Sequence, residues 1–245
     1  MDQRLKHIMD NYDKMKIDAD EPFKFRCTMC GKCCIDREDI LLNSKDLYNI
    51  SKELSLKTWE TVDRYCDTYV GESSRIPIVR LKPVGVNNRC PLLQGSRCSV
   101  HKAKPTVCAM FPIGRVLQID AENIKADIAA DKVEYIFTDP KCGDERETHT
   151  VREWLGAFGI PMEDEFFLKW QQTIAALGGI IHKLEKKCEQ KALTPVWNYI
   201  FSILYLGYDT EKEFMPQFES NSGRIVDDIE QLLNELEKTK PNGGE

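Results

Sequence analysis

Apolar residues recur at helical spacing near both ends of the chain and lose that order in between. Leu5, Ile8, Met9, Tyr12 and Met15 stand three and four residues apart, which predicts an amphipathic helix from Asp2 to roughly Lys16. Asn43-Ser44 offers an N-cap for a helix carrying Leu47, Ile50 and Leu54, and Lys57 to Val70 reads as another helix. Arg75 to Lys82 has strand composition, with Pro77 assigning it to an edge or an irregular stretch. Two short extended pieces joined by a glycine-containing turn are expected across Cys90 to Val100. Gly114 to Ile119 and Val133 to Phe137 are expected to pair as strands.

From Val151 onward the periodicity is helical almost throughout. Glu163 to Lys187 sets Phe166, Phe167, Trp170, Ile174, Leu177, Ile181 and Leu184 on one broad face, with Gly178-Gly179 a kink or a point of close packing. Pro195 to Leu206 is apolar all round and so reads as a buried helix. Ile225, Ile229, Leu232, Leu233 and Leu236 line a final amphipathic helix, ahead of a Pro241-Asn242-Gly243-Gly244 tail expected to fray. The pattern predicts an α+β fold. A small, irregular, cysteine-rich region with short strands (residues 20–147) would pack against a mainly helical region (148–240). The helix at 2–16 would join them, in one shared core or in two domains.

Composition narrows the class. The chain has 245 residues, 42% apolar and 30% charged, which suits an ordinary globule with a sizeable core. Its 34 basic and 40 acidic side chains leave a net charge of −6, an unfavourable balance for coating nucleic acid or anionic membranes. The longest apolar run, Val196 to Leu206, is about half of what a bilayer requires and carries Asn198 and Ser202. Met1-Asp2-Gln3-Arg4-Leu5-Lys6 shows no secretory pattern, so a cytoplasmic location is expected.

Ten cysteines change this ordinary picture. Disulfide frameworks belong to short secreted chains, whereas clustered thiols in a reducing compartment usually hold metal. Cys27, Cys30 and Cys33 are each separated by two residues, and Cys34 follows at once. Metal–sulfur bonds are about 2.3 Å, so several thiolates must converge on one point, and a C-x2-C loop turns two of them inward. Repeating the spacing gives three convergent sulfurs, as in ferredoxin-type runs, and Gly31 permits the left-handed backbone that such a loop uses. Adjacent side chains point apart in extended chain, which assigns Cys34 to a different atom of a cluster or to a second site. Cys90, Cys98 and Cys108, with Cys142 further on, form a second group, so the eight candidate metal ligands fall four and four. Cys66 and Cys188 lie among apolar neighbours and read as inert structural thiols. His101, three residues after Cys98, is either a ligand, a donor to sulfur or a polar cap. His7, His149 and His182 read as surface residues. Phe111-Pro112 reads equally as a shield for a cluster or as plain aromatic packing, and the Asp36-Arg37-Glu38-Asp39 run reads as a solvated face.

Taken in order, Cys27-x2-Cys30-x2-Cys33-Cys34, Cys90-Pro91-Leu92-Leu93, Cys98-x-Val100-His101, Lys104-Pro105-x2-Cys108, Phe111-Pro112 and Cys142-Gly143 resemble the CxxCxxCC cysteine cluster family, also called YkgJ-like. The resemblance spans roughly residues 25–145 and implies zinc or iron chelation. A more distant similarity to flagellin lysine N-methylase implies an iron–sulfur cluster and, as one activity, methylation of a protein. His101 stands where the family commonly has tyrosine, and Lys104 where arginine is common. Those departures spare the thiols.

Two cofactors satisfy four thiolates: zinc, as a closed structural staple, and an iron–sulfur cluster, 4Fe-4S by preference. The triple spacing and the proline after Cys90 favour iron–sulfur. Three roles stay open: an iron–sulfur-dependent modifying enzyme with a protein substrate, a zinc module for protein–protein interaction, and an electron carrier. The radical S-adenosylmethionine spacing C-x3-C-x2-C is absent, as are a G-x-G-x-x-G fingerprint and any H-E-x-x-H or Ser-His-Asp arrangement. No catalytic residue is assigned.

Overall fold

The structure is a computed structural model that describes residues 3–37, 40–118 and 128–239. The expected helix start at Asp2, the strand end at Ile119, Glu38-Asp39 of the charge run and the tail at 241–244 lie outside those residues. Helices and small antiparallel sheets combine in an α+β fold, as the periodicity predicts. The chain divides into two compact units, each built from two stretches: residues 1–40 with 83–168, and residues 41–82 with 169–245.

The first unit holds all eight candidate ligands. Strand β2 (Pro22–Arg26) buries Phe23 and Phe25 and exposes Lys24, the two-residue alternation of a strand with one wet face. It pairs antiparallel with β10 (Asp144–Thr150), with an irregularity between Asp144 and Thr148. A second sheet has the order β1 (Lys16–Ile17), β9 (Val133–Phe137), β8 (Ile113–Leu117). Helix α1 (Gln3–Met15) is fastened to it, because the Tyr12 hydroxyl donates to the Glu134 carboxylate of β9, which also accepts from the Lys16 ammonium of β1.

Helix α5 (Val151–Ala157) starts where β10 ends. Thr150 and Glu153 exchange side-chain and backbone hydrogen bonds at 3.2 and 2.9 Å in a capping box. It brings Trp154 into the core, edge-on to Phe23 and Phe25 at ring separations of 6.1 and 5.5 Å. The indole nitrogen donates to the Met110 carbonyl at 3.0 Å, which satisfies the polar end of a buried ring. His149, expected on the surface, packs instead between Phe23 and Trp154 at ring separations of 6.0 and 5.0 Å. Its position opposite Phe23 in the β2–β10 register turns it to the apolar face.

The second unit carries a sheet of order β3 (Leu41–Leu42), β5 (Pro77–Leu81), β4 (Cys66–Val70). Helix α2 (Ser44–Glu53) begins at the expected Asn43 cap, whose side chain accepts from the Asp46 N–H at 2.8 Å. The expected helix from Lys57 to Val70 is corrected: α3 spans only Thr58–Tyr65, and Cys66 to Val70 form a strand against β5. The β-branched and aromatic run Thr68-Tyr69-Val70 suits a strand, and the ladder offered by β5 overrides the helical spacing. The expected edge position of β5 is corrected as well, since it is the central strand of three. Pro77 is tolerated there as its first residue, where the missing N–H costs least.

Most of α6 (Glu165–Glu185) and all of α8 (Phe214–Thr239) lie in the same unit and follow the predicted helical periodicity. Helix α7 (Thr194–Phe201) corrects the expectation of a helix buried all round: Ile200 is its one buried residue, and Pro195 and Asn198 are exposed. A π turn over Ser202–Leu206 extends α7. Leu47, Ile50, Leu177, Ile181, Leu184, Ile200, Leu204 and Phe218 are fully buried. Gly178 is the close packing point of its Gly-Gly pair, because a Cβ there would lie 2.7 Å from the Ser74 carbonyl oxygen. Helix α6 begins in the first unit, where Asp164 accepts from the Phe167 N–H at 3.0 Å and from the Arg115 guanidinium at 2.9 Å.

Candidate metal centre

Three connections gather the cysteines. The β2–β10 register sets Arg26 opposite Asp144, so Cys27 and Cys142-Gly143 emerge at the same end of the ladder. Arg26 grips the Asp144 carboxylate through two nitrogens at 3.1 and 2.6 Å, and Arg146 adds a contact at 2.8 Å. Together, Arg26 first and Arg146 second, they hold that carboxyl well below the usual carboxylate range. Gly143, at φ 77°, closes onto β2: a Cβ there would stand 2.5 Å from both the Arg26 carbonyl oxygen and the Phe25 ring. No residue with a side chain fits that approach.

The second connection is the loop from Cys27 to Cys34. Met29 and Gly31 take positive φ, 52° and 72°, and Lys32–Cys34 close a 3-10 turn with the Cys34 N–H donating to the Gly31 carbonyl at 3.0 Å. This turn corrects the expectation that Cys33 and Cys34 point apart. Their sulfurs are 3.9 Å from each other, because the chain there is coiled rather than extended. A Cβ on Gly31 would approach the Ser96 carbonyl oxygen to 3.2 Å, which packs the loop against the segment that follows.

That segment is the third connection. The Cys90 N–H donates to the Cys34 carbonyl at 2.8 Å. Strands β6 (Leu93–Gln94) and β7 (Arg97–Cys98) form the expected hairpin, with Gly95 at φ 60° in its turn and Leu93 opposite Cys98. Buried Pro105 then leads into helix α4 (Thr106–Met110), which carries Cys108.

All ten cysteines are free thiols. Cys27 and Cys30 are exposed, and Cys33, Cys34, Cys90, Cys98, Cys108 and Cys142 are half-buried. Backbone N–H groups aim at the sulfurs: Lys32 and Gly143 at Cys30, Leu92 and Leu93 at Cys90, Val100 at Cys98. For Cys30 the Lys32 N–H outweighs burial and lowers the thiol's pKa. Burial dominates at Cys90, Cys98 and Cys108 and pushes those thiols up, while Cys142 is raised to about 11 by burial and then by Cys33, Cys30 and Cys27. Within the adjacent pair the two thiols share a hydrogen-bonding contact at 3.9 Å. Cys33 is thereby lowered and Cys34 raised.

Two cations that the spacing of the thiols does not point to lie within electrostatic reach of these sulfurs. Lys104 favours the thiolates of Cys33 and Cys98, and Arg37 those of Cys33 and Cys108. Arg37 sits in a charge run expected to be solvated, and only folding turns it toward the thiols. His101 is exposed at the start of a 3-10 turn, its pKa lowered by burial and then by Lys104. Phe111 lines a narrow crevice of about 50 Å³ together with Cys27, Cys30, Cys33, Cys108 and Cys142. An open depression of about 650 Å³ brings solvent to Cys30 and Cys142.

Among the described residues, no three Cys, His, Asp or Glu side chains already stand at metal-ligand spacing. A cysteine sulfur swings between staggered positions about a single bond, so neighbourhood on a fixed backbone is the firmer measure of which thiols can converge. The donor set fits a thiophilic metal. It consists of soft sulfur ligands, reduced and unbridged, with N–H groups turned toward three of them. A bound cation would outweigh the burial and mutual repulsion that raise most of these thiols, since a coordinating thiol is deprotonated outright.

Residues 26–142 match a family model described as a putative zinc- or iron-chelating domain. They are a CxxCxxCC domain. The YkgJ-like family is this same domain, and the match begins one residue before Cys27 and ends on Cys142, the outermost of the eight cysteines. No curated protein and no solved structure is similar to the chain at a significant level. Cys66 lies buried on β4 and Cys188 half-buried after α6, both in the other unit. No helix among the described residues is long and apolar enough to cross a membrane.

Proposed function

We propose that the CxxCxxCC domain holds iron–sulfur ligation through the thiolates of Cys27, Cys30, Cys33, Cys34, Cys90, Cys98, Cys108 and Cys142. The observation that carries this reading is the triply spaced Cys27 loop, curled by two positive-φ residues, with backbone N–H groups directed at the sulfurs. Hydrogen bonds to sulfur are a principal means by which a protein stabilises a cluster and sets its potential. The Cys90-Pro91 step agrees with the same chemistry. A cluster supplies one-electron transfer. The chain's own residues contribute the sulfur donors, the fixed N–H groups, and the cations Arg37 and Lys104 that favour thiolate over thiol. Free thiols in this number suit a reducing compartment, and the cytoplasm is the location proposed with this function.

Anaerobic purification followed by metal and acid-labile sulfide analysis tests the proposal. The expected result is a brown protein absorbing near ~400 nm and containing iron and sulfide. A colourless protein with stoichiometric zinc overturns it in favour of a structural zinc module. Cys30→Ser is expected to lose metal, whereas Cys188→Ser is expected to retain it in full.

A further inference from the structure

We infer that the eight thiolates form two separate four-thiolate centres, Cys27 with Cys30, Cys33 and Cys142, and Cys34 with Cys90, Cys98 and Cys108. This division rests on the metal-holding role proposed above, but not on whether the metal is iron or zinc. It differs from the grouping by position along the chain, in which Cys34 stays with the first loop and Cys142 joins Cys90, Cys98 and Cys108.

Backbone connections drive the exchange. Cys142 is delivered to the first loop by the β2–β10 ladder, through the Arg26–Asp144 pairing and the glycine that closes on Arg26. The Gly143 N–H, next to Cys142, reaches the Cys30 sulfur. Cys142 shares a crevice with Cys27, Cys30 and Cys33, while Cys34, Cys90 and Cys98 do not border it. Cys34 is tied the other way, since its carbonyl accepts from the Cys90 N–H at 2.8 Å. Cys90 in turn joins the hairpin that ends at Cys98, through Leu93 N–H to Cys90 carbonyl at 3.1 Å and the Leu93–Cys98 register. Cys108 borders the crevice too and has Cys90, Cys33 and Cys98 as neighbours; two of the three belong to the second group, and it is allotted there.

Cys33 lies within electrostatic reach of Cys90, Cys98 and Cys108 as well as of Cys142, so it stands between the groups and is allotted to the first by the crevice it shares and by its loop. Cys142 senses Cys33, Cys30 and Cys27, and Cys34 senses Cys90 and Cys108 besides its adjacent Cys33. Four sulfurs complete a tetrahedral zinc or a cubane cluster, so each group forms a full set. Cys33 and Cys34, with sulfurs 3.9 Å apart, are the seam between the centres.

The test is stepwise chelation of the metal-loaded wild-type protein. Newly freed thiols are trapped with iodoacetamide, and peptide fragmentation separates Cys33 from Cys34. Cys27, Cys30, Cys33 and Cys142 are expected to label together, and Cys34, Cys90, Cys98 and Cys108 together at a different chelator concentration. Metal content in variants gives a second reading. Cys27→Ser and Cys142→Ser should retain the same residual metal, Cys90→Ser and Cys98→Ser the complementary part, and the two residuals should add to the wild-type content. Far-UV circular dichroism checks that each variant is folded, and the labelling experiment needs no variant. Release of all eight thiols in one step overturns the division. So does co-release of Cys34 with Cys27, or loss of the same metal from Cys33→Ser and Cys34→Ser. A wild-type protein with no metal overturns the proposed function itself, and the two failures are distinguished by that measurement.

Discussion

Gly143→Ala probes the joint on which the Cys142 placement depends. Gly143 has φ 77°, and a non-glycine residue in that left-handed region costs about 1–2 kcal/mol. The added methyl would also stand 2.5 Å from the Arg26 carbonyl oxygen and 2.5 Å from the Phe25 ring. Neither neighbour yields easily: Arg26 is held by the strand ladder and by Asp144, and Phe25 is buried against Trp154. Overpacking of this kind adds about 1–3 kcal/mol, for a total of about 2–5 kcal/mol. Gly85→Ala is the control, since Gly85 has φ 72° and nothing within 4 Å of where its methyl would lie, so only the backbone cost applies. At roughly 2–4 °C per kcal/mol for a chain of this size, Gly143→Ala should lower the melting temperature by on the order of 10 °C and Gly85→Ala by about half as much or less. Scanning calorimetry is the assay. The chain has two compact units, so the transition of the cysteine-bearing unit should shift while any separate transition of the other stays in place. If the two alanine variants melt together, the segment carrying Cys142 is not pinned against β2 and the reasoning fails.

Three other outcomes follow from the same structure. Arg115→Ala should lower stability by about 3–5 kcal/mol in urea unfolding, because Arg115 and Asp164 are only 7% and 10% exposed and the variant strands a buried carboxylate. The Glu134 carboxyl is held down at about 2 by the Lys16 ammonium first and then the Tyr12 hydroxyl. A depressed carboxyl stabilises the fold above its ordinary pKa of about 4.5 and loses that contribution as pH falls toward 2. Glu134→Gln should therefore melt below wild type at pH 7 and level with it at pH 2, and an equal gap at both values would contradict the assignment. Burial pushes the Cys66 thiol up to about 12, so alkylation of the folded protein at pH 8 should leave Cys66 unmodified while the half-buried Cys188 is labelled.

Much of the fold was legible because its signals are local. The Asn43 cap, the Cys90–Val100 hairpin and the long helices at Glu165–Glu185 and Phe214–Thr239 each follow from neighbours within a few residues, and the pairing of Val133–Phe137 with the strand from Ile113 joins strands that follow one another in the chain. The failures share the opposite cause. Cys66–Val70 carries helical spacing yet is a strand, because β5 lies alongside it. His149 looks like a surface residue on a charged stretch, and becomes part of an aromatic core because β10 pairs with Phe23. Pro77 argued for an edge, but a strand's first residue has no such restriction.

The candidate site divides along the same line. Residue order alone places eight thiols in a CxxCxxCC domain and puts three of them, spaced by two, in a loop able to turn inward, since such a turn needs only adjacent residues and a glycine. Which thiols are neighbours emerges only on folding. A strand ladder carries Cys142 across more than a hundred residues to Cys27, and one backbone hydrogen bond turns Cys34 toward Cys90. Pairings at that separation are selected by burial of Phe23, Phe25 and Trp154 as a set, and no local spacing encodes them.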